Sequence, residues 1–106
     1  MLVSVKGAQL YCTRRGQGPV CLVPSGIGSK PYQLQVPARL AEHLSLVHVD
    51  LRGSGRSTGK ATDLTFDVLG EDLDTVRAAF GVDQVVVLGH SIIGVLAIEY
   101  GRRYPE

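Results

Sequence analysis

Ser91 stands at the end of Val85-Val86-Val87-Leu88-Gly89-His90-Ser91, and an apolar stretch from Ile92 to Tyr100 follows it. Three of the four residues Val85–Leu88 are β-branched, which favours a strand, and the stretch after Ser91 has helical length and composition. A serine at such a junction sits on a tight turn at the carboxyl end of a strand. Its hydroxyl projects above the sheet, and the amino end of a helix lies behind it. Free N–H groups and the helix dipole then favour a developing negative charge. That is the mechanical content of a nucleophile elbow, a hydroxyl presented for attack on a carbonyl carbon. The competing reading of Ser91 is a plain helix N-cap, for which serine is a preferred residue.

A serine hydroxyl is a poor nucleophile until a base removes its proton. None of the three histidines is placed to serve as that base. His90 is Ser91's own neighbour on the turn, His43 falls at a helix end and His48 falls within a strand, so packing or surface roles are expected for all three. Gly26-Ile27-Gly28-Ser29-Lys30 has the glycines of a phosphate loop but not the Gly-x-x-x-x-Gly-Lys-Ser/Thr spacing. Gly53-x-Gly55 follows a strand as a dinucleotide loop would, yet Thr58, Gly59 and Thr62 leave no helix directly after it. Cys12 and Cys21 lie in apolar, strand-like runs and read as buried, reduced thiols. No metal or organic cofactor is implied.

The elements that must hold Ser91 follow from glycine and proline punctuation. Leu2–Val5 and Ala8–Thr13 read as a hairpin about Lys6-Gly7. Val20–Val23 reads as a strand covered on both faces, followed by a glycine-rich loop from Pro24 to Ser29. Pro37 suits the first turn of a helix carrying Leu40, Ala41 and Leu44. Leu46–Val49 is a further strand ending in Asp50, and Arg52–Lys60 is loop. Thr65 caps a helix whose Leu69, Leu73, Val76 and Phe80 share one face and which Gly81 ends. The last helix ends near Arg103. The order β-β-β-α-β-α-β-α predicts an α/β fold, a mostly parallel sheet with an N-terminal antiparallel hairpin and helices on both faces.

The totals fit that plan. A chain of 106 residues, 44% hydrophobic and 20% charged, suits one small domain with a packed core. A net charge of +1 and the absence of Trp argue against nucleic acid as a partner. No apolar run is long enough to span a membrane and nothing at the N-terminus reads as a signal peptide, so a cytoplasmic location is expected.

Four segments in this order resemble the first half of an α/β-hydrolase-fold protein. They are the Pro19–Gly28 strand and loop, the Asp50-Leu51-Arg52-Gly53-Ser54-Gly55-Arg56-Ser57 loop, the Thr65–Gly81 helix and the Leu88–Gly94 elbow. The likeness runs along essentially the whole chain, and the Asp-x-Arg-Gly-x-Gly-x-Ser loop is its most specific part. It implies a truncated α/β-hydrolase domain over residues 1–106, ending after the elbow helix. It further implies that Ser91 is the nucleophile, with the backbone N–H groups of Gly26 and Ile92 as oxyanion hole. Asp50 and Arg52 are implied to be structural, bracing one another within their loop. The substrate would be a small molecule with an ester- or amide-type carbonyl. Two positions depart from the family pattern: Ile93 stands where a small residue usually follows the serine by two, and Pro24-Ser25 stands in place of His-Gly.

In that family the acid and then the histidine follow the serine along the chain. Of the fifteen residues after Ser91 none is His or Asp, so the segment by itself is expected to be an incomplete triad enzyme. Val85–Leu88 would then be an apolar sheet edge, and pairing with a copy of itself or with a complementary chain is expected. The alternative function is a non-catalytic hydrolase-fold module that acts in binding or assembly.

Overall fold

A computed structural model describes residues 1–26, 38–59, 65–90 and 93–105. Among them, five strands form one sheet in the order β1-β2-β4-β3-β5. They are β1 (Leu2–Val5), β2 (Ala8–Arg15), β3 (Val20–Ser25), β4 (Ser45–Asp50) and β5 (Val86–Val87). β1 and β2 are an antiparallel hairpin, β2 also runs antiparallel to β4, and β3 runs parallel to both β4 and β5. The α/β fold with an N-terminal antiparallel hairpin is present as expected, and the described sheet is mixed, with two of its four strand pairings parallel.

Every residue of β3 and β4 is buried, as a central parallel strand covered on both faces requires. Alternate residues face opposite ways. Cys12, Leu22, Val47 and Val49 point to the core under two helices, α1 (Phe66–Ala79) and α2 (Ile93–Arg103), where they meet Leu73, Val76, Leu96 and Tyr100. Cys21, Val23 and Leu46 point to the other face and meet Leu40, Ala41 and Leu44. Burying each leucine of this kind contributes on the order of 1.5–3 kcal/mol.

Three elements differ from their expected extents. The helix expected to start at Pro37 is a 3-10 helix, Ala38–Glu42, and Pro37 itself lies outside the described residues. β3 continues through Pro24 to Ser25, where loop was expected. Successive residues of a parallel strand address alternate neighbours. Leu22 faces β5, since its carbonyl accepts the Leu88 N–H at 2.9 Å, so Pro24 faces the same side. The β5 register ends at Leu22↔Val87, so the nitrogen of Pro24 points where no ladder bond is lost. Finally, the strand expected over Val85–Leu88 is only two residues long, and Val86 is 49% exposed. Among the described residues the sheet order places it on an edge, the position expected for Val85–Leu88.

α1 begins as its sequence implies. The Thr65 side chain accepts the Val68 N–H at 3.2 Å, Asp67 sits in the first turn, and Leu69, Leu73 and Val76 are buried on one face.

Candidate active site

The elbow is built on a glycine that tolerates no side chain. A Cβ placed on Gly89 would stand 2.7 Å from both the Gly94 Cα and the Ile93 carbonyl oxygen, and 2.9 Å from the Ala97 Cβ. The chain thus passes from β5 into α2 with backbone against backbone. The Ile93 N–H closes the turn by donating to the His90 carbonyl at 3.1 Å. Ser91 and Ile92, the candidate nucleophile and one candidate oxyanion donor, lie outside the described residues.

The other candidate donor, Gly26, directly follows β3. A Cβ placed on it would meet the Ile93 Cδ1 at 3.7 Å, an ordinary contact distance. The start of α2 and the start of the glycine-rich loop are therefore neighbours. Ile93, the bulky departure at the elbow, is half-buried and finds its room against a residue without a side chain.

The third segment of the site is the loop after β4. Ser25 and Asp50 are in register at the carboxyl ends of β3 and β4, where ligands of parallel sheets bind. The Leu51 N–H donates to the Ser25 carbonyl at 3.0 Å, and the Ser54 hydroxyl lies 2.6 Å from the Leu51 carbonyl oxygen and 3.2 Å from that of Ser25. The Ser57 hydroxyl donates to the Asp50 carbonyl at 2.5 Å and accepts the Tyr11 N–H at 2.8 Å. Thr58 exchanges further bonds with Gln9, so the loop is stapled to β2 on one side and to β3 on the other.

Asp50 and Arg52 were expected to brace one another, but they take different partners. One Asp50 carboxylate oxygen accepts the Arg56 N–H at 3.0 Å, and the other is buried without a hydrogen bond. Arg52 instead reaches across to α1. Its Nε donates to Asp72 Oδ2 at 2.7 Å and its Nη2 to Asp72 Oδ1 at 2.9 Å, and Nη2 also donates to the Lys6 carbonyl at 2.6 Å. The pair locks the hairpin, the loop and α1 together. Asp72 was missed from the sequence, although a signal was there: it falls three residues after Leu69 and four before Val76, on the apolar face of α1. A carboxylate on that face needs a buried cation.

Among the described residues, the remaining histidines and the cysteines supply neither a base nor an alternative nucleophile beside the corner. His43 and His90 are exposed. His48 is buried with both ring nitrogens lacking a hydrogen bond, and burial, reinforced by the Arg15 charge, holds its pKa below the usual histidine value against the opposing pull of Asp50. Burial pushes the Cys12 thiol up to about 11 and raises that of Cys21, so both stay protonated at neutral pH; neither is in a disulfide. Among the described residues no cluster of three or more His, Cys, Asp and Glu could hold a metal, and no helix is long and apolar enough to cross a membrane. A recess of about 1100 Å³ lies elsewhere, between β5 and the carboxyl-terminal halves of α1 and α2, with Tyr100 donating to Asp74 at 3.1 Å. No described residue of the elbow turn or of the glycine loop lines it.

Residues 18–106 match the family model described as alpha/beta hydrolase fold. The chain is 30% identical over 111 residues to the proline iminopeptidase PfmaB of Pestalotiopsis fici, covering 98% of this chain and 39% of that protein. It is 28% identical over 104 residues to bifunctional epoxide hydrolase 2 of Sus scrofa, covering 94% of this chain and 19% of that one. Among solved structures, the proline iminopeptidase-related protein of Thermus thermophilus superposes with a TM-score of 0.89 at 33% identity, over 99% of this chain and 40% of its own. The chain thus spans well under half the length of each of these relatives.

Proposed function

Because the chain belongs to the alpha/beta hydrolase fold family, we propose that it is the nucleophile-bearing, N-terminal portion of a serine hydrolase acting on a small ester- or amide-type substrate. Ser91 Oγ bonds to the substrate carbonyl carbon while its proton passes to a histidine supplied from beyond these 106 residues, oriented by an acid from the same source. The carbonyl electron pair moves onto oxygen, where the Gly26 and Ile92 N–H groups receive it. The pair then returns, the C–O or C–N bond breaks, and the leaving group departs with the proton. Water, deprotonated by the same base, attacks the acyl-serine, releases the acid and restores the hydroxyl. No cofactor takes part.

The observation that supports this reading is the close approach of Gly89 to Gly94 where the chain passes from β5 to α2, with Ile93 resting against Gly26. Labelling with a fluorophosphonate, in a protein that also carries the complementary segment, tests it. The label should go to Ser91 and vanish in Ser91→Ala. Absence of label from the complete protein would leave the second reading, a non-catalytic binding or assembly module. In that case Ser91→Ala would leave function unchanged.

The edge position of β5 and the half-exposed Val86 support pairing with a strand from a copy or from a complementary chain. The two buried free thiols fit a reducing, cytoplasmic setting.

A further inference from the structure

Gly26 offers its N–H from the same peptide unit that carries the Ser25 carbonyl. That unit is trans, so its C=O and N–H point in opposite directions in one plane. Whatever fixes the Ser25 oxygen therefore fixes the direction of the Gly26 N–H. The Ser25 oxygen is held from the loop after β4, by the Leu51 N–H at 3.0 Å and by the Ser54 hydroxyl at 3.2 Å. Ser54 has one proton to share between Ser25 and the nearer Leu51 carbonyl, at 2.6 Å, so it ties the first turn of the loop to the end of β3. The loop cannot drift, because Ser57 and Thr58 pin its far end to Tyr11 and Gln9 of β2. Donors on the carbonyl also polarise the amide and make its N–H a stronger donor.

We infer that Ser54 is a positioning residue that aims and strengthens the Gly26 N–H toward a developing oxyanion, an inference that rests on the assignment of Gly26 to that role. Nothing in the Ser54 side chain reaches substrate. It acts through one peptide plane, so the loop Asp50–Ser57 contributes to transition-state stabilisation without contacting the reacting atoms.

The test begins with the backbone amide spectrum of the ¹⁵N-labelled chain. In Ser54→Ala the Gly26 amide resonance should move, because its nitrogen senses hydrogen bonds to the preceding carbonyl, and its solvent exchange should quicken. Ser54→Thr, which keeps the hydroxyl, should restore both. Ser54→Cys, of similar shape but with a weak donor, should behave like alanine and serves in its place if the alanine variant does not fold. In the complete protein, fluorophosphonate labelling of Ser91 should slow by about tenfold in Ser54→Ala, part of the roughly 10²–10³-fold lost when an oxyanion donor is removed outright, and recover in Ser54→Thr. A Gly26 amide indifferent to all three substitutions overturns the inference, even if Ser91 labels normally. A responsive Gly26 amide in a complete protein whose Ser91 never labels overturns the hydrolase reading instead, and leaves the coupling of Ser54 to Gly26 standing.

Discussion

Arg52 and Asp72, twenty residues apart, meet as a buried two-point ion pair, Nε to Oδ2 at 2.7 Å and Nη2 to Oδ1 at 2.9 Å, with side chains only 5% and 3% exposed. The geometry is the planar fork that guanidinium and carboxylate share. Removing one partner strands the other charge away from water, and such a loss typically costs about 3–5 kcal/mol. Asp72→Asn should therefore lower the urea midpoint sharply. Asp74→Asn, at the partly exposed Arg77 pair on the same helix, should cost less than about 1 kcal/mol. Equal effects at the two positions would contradict a structural role for the buried pair.

His48 gives the fold an acid-sensitive element. Its folded pKa lies below the ordinary value because burial, helped by Arg15, disfavours the imidazolium. The unfolded chain takes up the proton first, near the ordinary value of about 6.5. Stability from this residue is therefore complete above that pH and falls as pH drops through the window toward the folded pKa. Both neutral ring nitrogens are also unsatisfied. His48→Leu should raise stability at about pH 7.5 by about 1–3 kcal/mol and flatten the decline below about pH 6.5. Thermal melts across that range would register either result, and an unchanged acid slope would remove His48 as its source.

Gly89 and Gly26 should respond oppositely to a methyl group. At Gly89 the new Cβ meets backbone at 2.7 Å and the elbow must open. The cost expected for such overpacking is at least about 1–3 kcal/mol. At Gly26 the Cβ meets only the Ile93 Cδ1 at 3.7 Å, so Gly26→Ala should fold with near-native stability. Circular dichroism melts of the two variants compare them directly, and a well-folded Gly89→Ala chain would mean that the corner is looser than its contacts indicate.

The free side of β5 should show itself in solution. Val86 is half-exposed on an edge strand with no charge or proline in it, and such an edge recruits other strands. Sedimentation of the 106-residue chain should reveal association, and Val86→Lys should shift it toward monomer. A monomeric wild-type chain at high concentration would refute the pairing.

The sequence by itself determined the order of the elements, the hairpin about Lys6-Gly7, the Thr65 cap, the apolar face of α1 and the membership that its loop and elbow motifs carry. These are local signals, settled by a side chain and neighbours within a turn or two, and they survive without knowledge of the rest of the chain. Tertiary structure alone decided that Arg52 reaches Asp72 rather than Asp50, that Val86 faces out, and that Ile93 comes to rest beside Gly26. Each of those depends on which strands are neighbours in the sheet. That is set by the burial of whole faces, a collective quantity that no single stretch of residues encodes.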